Sequence, residues 1–176
     1  MHEQEFWNII ENALQEEDLY EHIKLVLGSM SCGEIVSFQS ILNKKVAAAC
    51  TFSLLEANFV IASYVSDDGF RDFRAWLVSQ GAEKFGKALI DPESIVDWLD
   101  KSVVDEIDGG PMLSVAQDAY GEAYGDEDEF FQKVNFEPDP KVVQEWPKSK
   151  AEYQCKYPKL VEKYWNDERI REMHSD

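Results

Sequence analysis

The chain has 176 residues, of which 44% are hydrophobic, 12% aromatic and 30% charged, which is apolar enough to fold and long enough for one domain but not for two of ordinary size. Thirty-five acids against seventeen lysines and arginines give a formal charge of −18, a field that repels a phosphate backbone or an anionic bilayer and disfavours both as partners. Apolar residues at Phe6, Ile9, Ile10, Ala13 and Leu14, then at Leu19, Ile23, Val26 and Met30, follow the spacing of one helical face and predict two short helices. Ser31-Cys32-Gly33-Glu34 has the form of a capping box and starts a third, whose buried face is Ile35, Phe38, Ile41 and Leu42. The pattern resumes through Val46, Ala49, Phe52, Leu55, Phe59 and Ile61, and residues 46–62 read as a core helix, interrupted by too many polar residues for a membrane span.

Ser66 followed by Asp67 and Asp68 is an N-cap with two carboxylates in the first turn, where the macrodipole favours them. Phe70, Phe73 and Leu77 form the stripe of this helix, and Gly81 is placed to end it. Asp91-Pro92 repeats the start signal and leads into Ile95, Trp98 and Leu99; Gly109-Gly110-Pro111 marks a loop; a further helix runs from about Met112 to Tyr124 and stops at Gly125. Its Tyr120 and Tyr124 are expected at the rim of the core with hydroxyls in solvent. Beyond that, the run Asp126-Glu127-Asp128-Glu129 and Pro138, Pro140 and Pro147 predict mostly irregular chain. Ser149-Lys150-Ala151-Glu152 offers another capping box before a closing helix with Leu160, Val161, Tyr164 and Trp165.

The architecture predicted is all-α, a single compact domain of six to eight helices, the first five supplying the core and the C-terminal segment wrapping over it; residues 1–125 are the helical domain and 126–176 an acidic, proline-containing extension with a short closing helix. No internal repeat is visible. Charge is regional, with residues 91–139 holding fifteen acids and two lysines against a net +1 for 140–176. That segment is either solvated surface or a face for a basic protein partner, with Asp126, Glu127, Asp128 and Glu129 as its densest locus. Cys32, Cys50 and Cys155 are an odd, scattered set that reads as free thiols. The acidic start, Met1-His2-Glu3-Gln4-Glu5, lacks the positive region of an export signal, so the cytoplasm is the expected location. His2, His22 and His174 are too dispersed for a metal site, the acid run lacks calcium-loop spacing, and no serine-nucleophile, P-loop or dinucleotide motif occurs; no metal and no cofactor is expected.

The densest block is Ser66 to Gly81. Asp67, Arg71 and Arg74 lie at i, i+4 and i+7, and Trp76 and Gln80 at i and i+4, so one reading is an ion-pair and capping network in which Arg74 forks onto Asp67, Asp68 or Glu34. The other is a polar pocket binding an anion or a small polar ligand through Asp67, Asp68, Arg71, Arg74, Trp76 and Gln80. The block resembles the signature S-D-D-x-F-x-x-F-R-x-W-L-[IV]-x-Q-G of the DUF4240 family, a bacterial group of uncharacterised proteins. Phe6-Trp7, Glu34-Ile35, Ala88-Leu89, Asp91-Pro92-Glu93-Ser94 and Ala119-Tyr120 support the likeness over about residues 1–125. It implies a helical domain and no established chemistry. The function expected first is a non-enzymatic, protein-binding module of inhibitor or immunity type. The alternatives are a small-ligand binder or enzyme built on the Ser66–Gly81 block, and a DNA-mimicking inhibitor.

Overall fold

The computed structural model describes residues 1–125, 127–142 and 145–173. Among them are eleven α-helices, two 3₁₀ helices and no strand. The all-α class therefore holds, but the helices are shorter and more numerous than the six to eight expected. They are α1 (Glu3–Ala13), α2 (Leu19–Gly28), α3 (Cys32–Ala48), α4 (Phe52–Ala62), α5 (Asp67–Ser79) and α6 (Ala82–Ile90), then 3₁₀ turns at Pro92–Asp97 and Lys101–Glu106. After these come α7 (Gly110–Tyr124), α8 (Glu127–Lys133), α9 (Lys150–Lys156), α10 (Pro158–Tyr164) and α11 (Asp167–Met173).

Local capping chemistry sets most of the boundaries. Ser31 N–H donates to Glu34 Oε2 at 2.9 Å, Ser66 Oγ accepts from Gly69 N–H at 3.1 Å, and Ser149 Oγ accepts from Glu152 N–H at 3.3 Å. Each satisfies a backbone group that the first turn leaves without an intrahelical partner. Gly81 and Gly125 take φ of +90° and +77°, the left-handed region that glycine enters without steric cost. Gly81 ends α5 but also opens α6 at once, a helix the spacing did not separate. The stretch 46–62 is likewise not one helix. Thr51 Oγ1 accepts from Leu54 N–H at 3.3 Å and starts α4 anew, bent by 84° from α3. No single helix is long and apolar enough to cross a membrane.

Helix α7 is the hub, packing along α2 and against α3 and α5. Its entry explains the Gly-Gly-Pro turn: a Cβ on Gly109 would lie 2.0 Å from the carbonyl oxygen of Asp72, so only glycine lets this turn lie on the backbone of α5. Tyr20 OH donates to Asp108 O at 3.2 Å and holds the same turn. The core runs through Phe6, Ile10, Ile23, Leu27, Phe38 and Leu42, all without solvent exposure.

The extension does not stay irregular. Helix α8 forms where the acid run sits in a first turn and Phe130, 1% exposed, anchors it to the core. Pro138, Pro140 and Pro147 do fall outside helices. Tyr153, Tyr157, Leu160, Val161 and Tyr164 join the same hydrophobic cluster as Phe6 and Ile10, and α10 lies on α4. There the buried Glu56 accepts from Lys156 Nζ and from Tyr157 OH. Burial first, then the Glu56 hydrogen bond and charge, raises the Tyr157 hydroxyl far above its usual range, which keeps it a donor.

Candidate functional site

Helix α5 carries the Ser66–Gly81 block and presents it to three surroundings. Asp67 and Asp68 are exposed in the first turn, where the dipole favours them, and neither meets Arg74. Arg74 is 2% exposed and the largest fully buried side chain of the molecule. Its carboxylate partner is Asp139, from a residue far along the chain, rather than Asp67, Asp68 or Glu34: Nη1 donates to Oδ1 at 2.8 Å and Nη2 to Oδ2 at 2.7 Å. Nη1 also donates to Val46 O at 2.9 Å and Nε to Phe70 O at 3.2 Å, and the guanidinium lies over the Phe70 ring at 4.7 Å. Four hydrogen bonds thus commit the guanidinium to the interior, where two carbonyls and a fork-shaped carboxylate contact offset its desolvation. Its hydrogen bonds hold the Asp139 carboxyl below the ordinary carboxylate value, against the opposing effect of partial burial.

Arg71, exposed, lines a 220 Å³ cavity with Asn43, Glu137 and Asp139. The segment around Asn135 crosses this side of the bundle, where Asn43 Nδ2 donates to Asn135 O at 3.0 Å. Asp72, on the same helix, has its carboxyl raised by burial first and then by the charges of Asp108 and Asp68.

Trp76 and Gln80 face a different neighbourhood. They line a 310 Å³ cavity with Lys84 of α6, Trp98, Asp100 and Glu106. The two indoles stack with centroids 5.6 Å apart and planes inclined by 30°. Lys84 Nζ stands 5.0 Å from the Trp98 ring, a cation–π position. Gln80 Nε2 donates to Ser79 Oγ at 3.2 Å, while Trp98 Nε1–H is buried with no acceptor among the described residues. Asp100 is bound by the N–H and hydroxyl of Ser102, each at 2.8 Å, which hold its carboxyl low. The cavity is lined by two indoles, a cation, an amide and two carboxylates.

Residues 1–122 match the family described as a protein of unknown function, DUF4240. The chain belongs to the DUF4240 family. No curated protein and no solved structure matches it. Every residue lining the Trp76–Trp98 cavity of this DUF4240 protein lies within the matched segment.

The structure therefore divides the six candidate residues of the block. It brings Trp76 and Gln80 together at one cavity, places Arg71 at another, commits Arg74 to the interior and leaves Asp67 and Asp68 on the surface. Lys84, Trp98, Asp100 and Glu106 were missed as site residues. Trp98 had been read only as core, and the Asp-Pro start signal gave no hint that its 3₁₀ turn would carry the ring onto Trp76.

The described acids of the run are exposed, and two of them bond to neighbouring side chains. Asp126 lies outside the described residues. Glu127 accepts from Gln117 Nε2 at 2.7 Å. Glu129 accepts from Tyr120 OH at 2.8 Å and pairs with Lys133 at 2.8 Å. Asp128 is exposed. Tyr120 is accordingly buried rather than reaching solvent, and the Tyr124 hydroxyl, though its ring is half-exposed, donates to Met30 O at 2.8 Å. Elsewhere in the acidic segment, Asp91 and Asp108 cap backbone N–H groups, Glu93 receives the N–H groups of Lys159 and Leu160, and Asp105 pairs with Arg169. The three cysteines are free thiols, Cys155 exposed and the others partly buried. No group of three or more His, Cys, Asp or Glu among the described residues is arranged to hold a metal ion.

Proposed function

We propose that this protein is a binding module for a small, planar molecule that carries both hydrogen-bond acceptors and donors, held in the Trp76–Trp98 cavity. The observation that carries this reading is the stacked Trp76–Trp98 pair, with Lys84 over the Trp98 ring, in the lining of a 310 Å³ cavity. A ring laid against the indole pair supplies dispersion and stacking, Lys84 takes an acceptor or an anionic substituent, and Asp100 and Glu106 take donors. The test is a thermal-shift screen of planar heterocycles such as nucleobases, repeated on Lys84→Ala and Gln80→Ala. A compound that raises the melting temperature of the parent should lose most of that effect in both variants, since binding to the native state alone produces such a shift. Stabilisation that survives both substitutions, or no stabilisation by any planar compound, counts against the cavity as the site.

The reading as a basic-protein binder, of inhibitor, immunity or DNA-mimic type, draws its support from the net charge of −18. It has weaker support than the cavity, because most described carboxylates of residues 91–139 are engaged within the chain as caps, hydrogen bonds or ion pairs.

A further inference from the structure

On the side of the molecule where the extension crosses α4, a second and larger cavity of 450 Å³ opens. Its floor is Phe59. Trp146 and Trp165 stand edge-on to that ring, with centroids 5.9 and 6.1 Å away and planes at 72° and 74°. Tyr153 stacks on it at 5.4 Å. These rings form an aromatic cluster that borders the cavity, whose volume is within the size range of small-molecule sites.

Its charge is opposite to that of the protein. In a chain with twice as many acids as bases, the lining includes Lys148 and Lys150 and no carboxylate. Lys150 is already paired with Asp167 at 2.9 Å and sits over the Trp165 ring. Asp167 is in turn held by Trp165 Nε1 at 2.8 Å, so this acid is spent. The Lys148 ammonium makes no ion pair among the described residues. Tyr153 is 4% exposed, yet its hydroxyl makes no hydrogen bond among them. Burial and then the charge of Glu56 raise that hydroxyl far above its ordinary range, so it stays protonated and donates.

We infer that this cavity is a second ligand site, one that takes a small aromatic carboxylate: its rings against the Phe59, Trp146 and Trp165 cluster, and the carboxylate received by Lys148 and Tyr153. A cationic guest would find the cation–π position at Trp165 filled by Lys150 and no free carboxylate in the lining. An acidic peptide is the other occupant of like charge, and the titrations below separate the two.

The probe is naphthalene-2-carboxylate, titrated calorimetrically into the full chain, with naphthalene-2-carboxamide and a naphthyl trimethylammonium ion beside it. Saturable one-to-one binding of the carboxylate, tighter than either analogue, is expected. Lys148→Ala should weaken the carboxylate about tenfold, the worth of one charge-assisted hydrogen bond, and leave the carboxamide unchanged. Tyr153→Phe keeps the ring stacked on Phe59 and should weaken the carboxylate by a similar factor without lowering the melting temperature. Lys84→Ala, in the other cavity, should leave this binding untouched. Tighter binding of the cation, indifference to both Lys148→Ala and Tyr153→Phe, or loss of binding in Lys84→Ala overturns the proposal. So does binding of an acidic aromatic peptide where the naphthoate fails.

Discussion

Arg74 shows how one buried cation is tolerated. Four of its five N–H donors meet two main-chain carbonyls and both oxygens of Asp139, so removing either partner leaves polar groups without their contacts. Arg74→Ala leaves Val46 O and the Asp139 carboxylate without the guanidinium around a new cavity and should cost about 2–4 kcal/mol. Asp139→Asn should cost less, about 1 kcal/mol, because Asp139 is half-exposed and solvent screens the pair. The lowered pKa of Asp139 also fixes the sign of a pH effect. A carboxyl whose folded value lies below its unfolded one contributes stability above about pH 4, and loses it as pH falls through the folded value. Chemical denaturation of parent and Asp139→Asn should therefore differ at neutral pH and converge in acid; a gap that widens on acidification contradicts this account. At Gly109 the constraint is distance rather than charge. A methyl group there collides with Asp72 O, and Gly109→Ala should cost about 2–3 kcal/mol as α7 is pushed off α5, read as a lower denaturation midpoint.

Each helix start is a wager on a few local atoms. Ser66→Ala removes the acceptor for Gly69 N–H and should lower stability by about 1 kcal/mol, while Ser66→Asp restores the acceptor and most of the stability. Helix α8 depends on side chains instead: Gln117 and Tyr120 of α7 reach Glu127 and Glu129. Replacing both glutamates with alanine should lower the melting temperature and expose the Tyr120 ring. Were those carboxylates only solvated surface, the double variant would melt with the parent. The same comparison bears on the acidic run as a docking face, since a partner can use these groups only by competing with contacts they already make.

For the whole molecule, the extension is part of the core rather than a tail on it. A chain ending at residue 125 loses Tyr157 and Lys156 from the buried Glu56, Asp139 from Arg74, and the α10 face that covers α4. An uncompensated buried acid and an uncompensated buried base in one truncated chain should abolish cooperative unfolding or drive aggregation. A sharp melt and monomeric elution of the truncated chain would show instead that residues 1–125 are self-sufficient. The family match over residues 1–122 and the shared core thus describe different boundaries, one of sequence likeness and the other of packing.

What the sequence by itself determined is the short-range part: helical class from the 3.6-residue period, and the ends of helices from serine caps, Asp-Pro and glycine, because a cap acts over four residues or fewer. Even here, period alone joined α3 to α4 and overlooked α6, since an apolar face continues across a bend as readily as along a helix. That Trp76 and Gln80 lie side by side, and so line one cavity, was also legible, being one turn apart. Their cavity partners Trp98 and Lys84 were not, nor was Asp139 as the partner of Arg74, nor the meeting of Phe59 with Trp146, Tyr153 and Trp165. Those pairings join residues on different elements, and no local spacing records them. They are decided by the tertiary structure, where α7 presses on α5 through Gly109 and the extension folds over α4, because only packing sets which distant side chains come within a few ångströms of each other.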